Sequence, residues 1–270
     1  ADRWFPGIVS GDTIAALAID EGPKHRDRIA MTAERAGNGF RLNGAKQFVT
    51  HGHVADLLIV AARTAGSAAD ADGVTLFAVP RDAAGLGASP ERLADSSLAA
   101  RMTFDGVTVD ADAVIGEVDG GRGGLDRLLR AGRTGASAEM LGVAGGAMDM
   151  TVGYLKERKQ FGTLIGSFQA LQHRAAHLYS ELEVARAAVL KAQQLLDAGS
   201  DEADEAVSVA KAMTGMATTL SVQEGVQMHG GIGMTDEYDI GFFMKRARVL
   251  TEMFGDTGFH ADRLARAAGY

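Results

Sequence analysis

Apolar and polar positions follow two rhythms in this chain, and the change falls near Gly120. Upstream, short β-type runs at 39–50, 57–62, 74–79, 98–104 and 107–114 are separated by turn residues. The Asn43-Gly44 pair between apolar flanks predicts a hairpin turn within the first of these. The small, alanine-rich stretch 66–73 reads as a mobile loop tip. Strands at this spacing predict a small antiparallel β-barrel or sandwich. Downstream of the glycine-rich hinge at 120–124 the period becomes helical. Phe168, Leu171, Ala175, Leu178, Leu182, Ala185, Val189, Ala192 and Leu196 step by three and four, the seam of a long bundle helix. Ser167 is placed to cap its start and Gly199 its end. Asp201 is placed to cap a second helix carrying Val209, Met213, Met216 and Leu220, while 125–156 and 238–254 read as two more. The predicted fold class is therefore α+β: a small antiparallel β-barrel/sandwich domain at 17–119, then an antiparallel four-helix bundle at 120–270.

Composition narrows the function classes. With 270 residues and 46% hydrophobic side chains, the chain is long enough to bury a real core. A formal charge of −8 argues against a nucleic-acid partner, which would call for a basic face. No apolar run is long enough to span a bilayer, and the first residues lack the apolar segment of a signal peptide. Zero cysteines leave no disulfide framework, thiolate metal site or thiol nucleophile, which is compatible with a cytoplasmic location. His173 and His177 stand four apart on a helix without the glutamate or third ligand of a metal site, so no metal is expected. Glycine is the outlier: 35 residues, against an average usage of about 7%. Gly132, Gly135, Gly142, Gly145, Gly146 and Gly153 fall within one apparent helix. A helix accepts them where another helix or a flat ligand comes close to its backbone.

Four ordered segments carry a resemblance. Residues 40–52, containing Asn43-Gly44-Ala45-Lys46 and Phe48-Val49-Thr50, resemble a middle-domain strand of the acyl-CoA dehydrogenase family. Tyr154 through Arg158 to Phe161-Gly162, then Phe168-Gln169 with Gln172, are similar to its next two motifs. Gln227 with Gly230-Gly231 and Gly233 is similar to the fourth. The resemblance covers nearly the whole chain and implies FAD as cofactor. It implies that Arg158 meets the FAD pyrophosphate with forked donors and that Phe161 packs near the adenosine. Gln227, Gly230 and Gly231 offer amide donors and an open backbone, while Phe48 and Thr50 flank the isoalloxazine. In the family the elements around Arg158, Phe161 and Gln227 serve a neighbouring subunit's FAD. This implies a homo- or hetero-oligomer, a dimer of dimers. Each residue also has a plainer structural reading: Arg158 as a surface ion pair, Gly230-Gly231 as a helix stop, Phe48 as strand core.

The implied reaction is α,β-dehydrogenation of an acyl-CoA thioester to the trans-2-enoyl-CoA, with an electron-transfer flavoprotein as a possible acceptor. It needs a base for the α-proton. Aligned on Ala247-Arg248 and Gly255, Phe254 stands where the family usually has its glutamate. The alternative position, on the helix before Arg158, is Gly132, beside the substrate-side candidate Arg133. Glu252 and Asp256 are the nearest carboxylates and the remaining candidates for the base, with His260 one turn further on. The family's "T-E-P-x-x-G-S-D" element is represented only by 19–27, without its Gly-Ser, and there Lys24, His25 and Arg26 are available to a CoA phosphate. Residues 1–16 are expected to be the tail of the family's N-terminal helical domain. Two functions follow: an acyl-CoA dehydrogenase, or a non-catalytic FAD-binding subunit of a heteromeric one.

Overall fold

The structure is a computed structural model that describes residues 3–270, so Ala1 and Asp2 of the expected N-terminal remnant lie outside the described residues. It divides into two compact units, Ala1–Leu129 and Arg130–Tyr270.

The first unit opens with a short helix, α1 (Phe5–Ser10). Eight strands follow: β1 (Ala15–Ala18), β2 (Thr32–Ala36), β3 (Gly39–Thr50), β4 (Leu57–Arg63), β5 (Val74–Pro80), β6 (Leu86–Arg92), β7 (Leu98–Asp110) and β8 (Val114–Ile115). They form one sheet in the order β6-β7-β3-β2-β4-β5-β8, with β1 added beside β4. The path ends at β6 and β8, so the sheet is open, where the spacing had left a closed barrel as one possibility. Its pairings are antiparallel except at β1–β4 and β2–β4, which are parallel. Phe40 and Phe77 meet edge to face at 5.2 Å within a core that includes Leu42, Leu58, Val60 and Met102.

Asn43-Gly44 makes no hairpin. The β2–β3 turn is the two residues before Gly39, with Gly37 at φ 59°. Asn43 instead lies inside β3, where its Oδ1 accepts the Gly106 amide at 2.8 Å. Gly44, at φ 142°, absorbs a register shift against β7. The side chain that would have closed a turn serves the neighbouring strand. The two expected runs 98–104 and 107–114 are largely one strand, β7. Edge strand β6 was not among the expected runs; it tolerates Pro90 because it lies at the end of the sheet. The loop 66–73 is gathered around Arg63, whose guanidinium donates to the carbonyls of Ala65, Asp70 and Asp72.

In the second unit are α2 (Arg122–Glu157, begun in the first unit), β9 (Lys159–Gln160), β10 (Thr163–Leu164), α3 (Gln169–Asp197), α4 (Ala203–His229), α5 (Ile240–Glu252) and α6 (Thr257–Ala267). The seam of α3 is buried at Leu178, Leu182, Ala185, Val189 and Ala192, as its spacing requires. Two expected caps are not made. Ser167 belongs to a preceding 3-10 turn and donates to Leu164 O, and Phe168 stands at the N-cap. Ser200, not Asp201, accepts the amide of Glu202 before α4. Gly199 does close α3, at φ 62°. The fourth expected helix ends at Glu252, and a turn at 253–256 leads into α6, which packs against α4.

Aromatic rings account for two of the α2 glycines. A Cβ at Gly132 would meet Phe254 Cε2 at 2.8 Å, and one at Gly146 would meet Phe243 Cε1 at 2.7 Å. Gly135, Gly142, Gly145 and Gly153 face open space.

Candidate functional site

Strict alternation along β3 would place Lys46, Phe48 and Thr50 on one face. An extra residue between Lys46 and Val49, with Phe48 at φ 53°, breaks the alternation. Lys46 is fully buried, whereas Phe48 is 42% exposed and Thr50 faces solvent. Bulges of this kind re-aim side chains, so Phe48 is not strand core. Lys46 Nζ donates to Ile19 O (3.0 Å) and Glu21 Oε1 (2.8 Å). Burial pushes its ammonium below the usual lysine range, and Glu21 opposes that shift. The outcome is an exposed aromatic and an exposed hydroxyl on a stiff, buried footing.

A second cluster lies at one end of the helical unit. Phe161 and Gly162 are the two turn residues of the β9–β10 hairpin, at φ 54° and 78°, the signature of a type I′ turn. A phenylalanine there is strained, and it is 93% exposed. Its ring meets the edge of Phe168 at 6.3 Å. Arg158 at the hairpin's base is exposed, and among the described residues its guanidinium has no hydrogen-bond or ion-pair partner. It is therefore no surface ion pair. Tyr154, one turn before it, stacks on His229 at 4.6 Å. That contact brings the end of α2 to the end of α4, where Gln227, Gly230 and Gly231 are exposed. Gly230, at φ 67° and ψ −143°, adopts a conformation nearly confined to glycine. No atom lies within 4 Å of where a Gly231 Cβ would stand. A forked cation, a bare backbone and an exposed ring together fit a flat ligand with an anionic middle. His229 was not singled out by sequence. Its Nδ1 donates to Gly225 O (2.6 Å), and burial pushes its pKa down.

The third cluster surrounds the turn at 253–256. Phe254 has φ 57°, and its carbonyl accepts from Arg133 Nε (3.1 Å) and His260 Nε2 (3.2 Å). Lys211 Nζ donates to Leu250 O, Thr251 O and Gly255 O (3.2, 3.0 and 2.9 Å), closing the end of α5. Arg133, Lys211 and His260 are all buried. Burial lowers Lys211 to about 8, aided by Arg133 and opposed by Asp256 and Glu252. Burial, then Arg133 and Lys211, lower His260 to about 3, so the ring is neutral, with its proton on Nε2. Arg133 lies over the ring of Phe259 at 5.5 Å. The candidate bases are engaged elsewhere: Asp256 caps α6 by accepting the Phe259 amide (2.8 Å), and Glu252 pairs with Arg248 (3.0 Å). The Phe254 ring occupies the space beside Gly132, so the two positions aligned with a base are packed together without a carboxylate. Lys211 carried no sequence signal, since its partners lie some 40 residues away in the chain.

Among the described residues no helix is long and apolar enough to cross a membrane, and no group of three or more His, Asp or Glu is placed to hold a metal.

Residues 120–269 match the C-terminal domain of acyl-CoA dehydrogenases and residues 22–107 their middle domain. The chain is 33% identical over 268 residues to the mitochondrial short/branched chain specific acyl-CoA dehydrogenase of Bos taurus, covering 97% of this chain and 61% of that protein. Its fold superposes on an acyl-CoA dehydrogenase of Geobacillus kaustophilus with TM-score 0.93 at 27% identity, covering 99% of this chain and 72% of that one. The butyryl-CoA dehydrogenase of Megasphaera elsdenii gives 0.90 at 26%, covering 99% and 71%. The chain thus spans about three fifths of the length of the first curated relatives it matches.

Proposed function

Because the chain belongs to the acyl-CoA dehydrogenase family, we propose that it serves as an FAD-dependent acyl-CoA dehydrogenase, converting an acyl-CoA thioester to the trans-2-enoyl-CoA. The observation that carries this reading is the unpartnered Arg158 beside an exposed, strained Phe161, an arrangement with no role in the chain's own packing. Bound FAD supplies the hydride acceptor. Arg158 would meet the diphosphate of a neighbouring subunit's FAD, Phe161 would cover its adenosine, and Gln227 with Gly230-Gly231 would offer donors along an unobstructed backbone. Phe48 would wall the flavin of the chain's own FAD, and Thr50 would hydrogen-bond its edge.

Because the elements around Arg158, Phe161 and Gln227 serve a neighbouring subunit's FAD in this reading, the working species is a homo- or hetero-oligomer, a dimer of dimers. An electron-transfer flavoprotein as acceptor and a cytoplasmic location complete the proposal. Mixing the FAD-loaded protein anaerobically with acyl-CoAs tests it: the flavin's visible absorbance bleaches with at least one chain length.

A second reading rests on Phe254 packed against Gly132. With neither position carrying a carboxylate, the chain would contribute an FAD half-site to a heteromer whose partner bears the base. Native mass measurement separates the two: a pure homo-oligomer with full turnover removes the second reading.

A further inference from the structure

Residues 22–28 contain three cations, Lys24, Arg26 and Arg28, and one carboxylate, Asp27, in a chain of net charge −8. Lys24, Arg26, Asp27 and Arg28 face solvent, while His25 and Ile29 are buried, so the exposed face carries three cations and one carboxylate. Among the described residues no hydrogen bond or ion pair engages Arg26 or Arg28.

The segment is anchored at both ends and at its centre. Glu21 accepts the amides of Ala30 (2.8 Å) and Met31 (3.0 Å), closing the loop on itself, and Lys46 neutralises that carboxylate. Inside, His25 Nδ1 bonds Asp20 Oδ1 at 2.6 Å. Arg63 Nε donates to Ile29 O (2.8 Å) at the far end. The near end is fixed to β3, where Gln47 N donates to Asp20 O (2.7 Å) immediately before Phe48. A merely solvated run of charge needs no such framework. Holding cations in place before a ligand arrives reduces the ordering cost of binding.

We infer that the Lys24–Arg26–Arg28 face of this loop is the binding subsite for the phosphate groups of the CoA moiety. The inference rests on the acyl-CoA reading above. CoA carries a diphosphate and a ribose phosphate at the end remote from the thioester, and exposed guanidinium groups are suited to meet them. His25 turns inward, so it holds the loop and does not touch the phosphate.

The test measures CoA binding to the FAD-loaded protein by calorimetry, independently of turnover, for the wild type and for Arg26→Ala/Arg28→Ala. The double variant is expected to bind CoA about tenfold more weakly. Its affinity should depend less on salt, and binding of an acyl-N-acetylcysteamine thioester, which lacks the phosphates, should be unchanged. Arg26→Lys/Arg28→Lys is expected to retain most of the CoA affinity. Equal CoA affinity in wild type and double variant overturns the subsite while leaving the acyl-CoA reading intact. A wild type that binds no CoA overturns both.

Discussion

The ring of Phe254 lies against the backbone of Gly132, so close that a Cβ at 132 would come within 2.8 Å of Cε2 and 2.9 Å of Cζ. Gly132→Ala gains about 1 kcal/mol of helix propensity but forces the ring from a packed site, at roughly 1–3 kcal/mol. It is expected to destabilise the protein, and adding Phe254→Ala should remove most of that overpacking term. Gly135→Ala, a turn further along and facing open space, is expected to stabilise by about 0.4–1 kcal/mol. Denaturant unfolding of the three variants and the wild type checks this; equal effects at 132 and 135 would contradict the packing described.

Phe161 occupies a left-handed turn position with its ring in solvent. Phe161→Gly should stabilise the FAD-free protein by about 1 kcal/mol through relief of that strain, yet weaken FAD retention. Opposite signs in thermal unfolding and in flavin content after gel filtration are the expected outcome. Lower stability together with unchanged flavin would assign Phe161 a packing role only.

Arg158→Ala should leave folding within about 0.5 kcal/mol of the wild type, as an exposed side chain with no partner in the chain. It should lower FAD affinity by roughly tenfold or more, as loss of a charge-assisted contact does. Fluorescence titration of the FAD-free protein measures it, and undiminished affinity removes Arg158 from the site.

His260 has a folded pKa of about 3, against an ordinary value near 6.5. Between these values the unfolded chain binds the extra proton and the folded one does not. The stability contributed by the neutral ring is complete above pH 6.5 and is lost as pH falls toward 3. The loss amounts to at most roughly 4–5 kcal/mol. His260→Gln should flatten unfolding free energy against pH across that interval, and an unchanged acid slope would contradict the burial argument.

The sequence announces features that local rules govern. The α3 seam was legible because 178, 182, 185, 189 and 192 repeat at helical spacing, and these residues are buried. Arg158 and Phe161 were singled out only through family resemblance, since nothing local distinguishes Arg158 from a solvated cation, and the hairpin that carries them was not read from the sequence. Asn43-Gly44 misled because its side chain found a long-range partner, Gly106, that no neighbouring residue reveals. Ser167 and Asp201 were reasonable caps, displaced by a 3-10 turn and by Ser200. The group around Phe254 was only partly legible. His260 lies near it in sequence, but Lys211 and Arg133 arrive from two other helices.

The most direct measurement is anaerobic mixing of the FAD-loaded protein, in its native assembly, with acyl-CoAs of increasing chain length while following the flavin's visible absorbance. Bleaching with at least one of them is expected, and weaker bleaching after Arg158→Ala in step with lost FAD. Fully bound FAD that stays oxidised with every acyl-CoA would contradict the proposed activity.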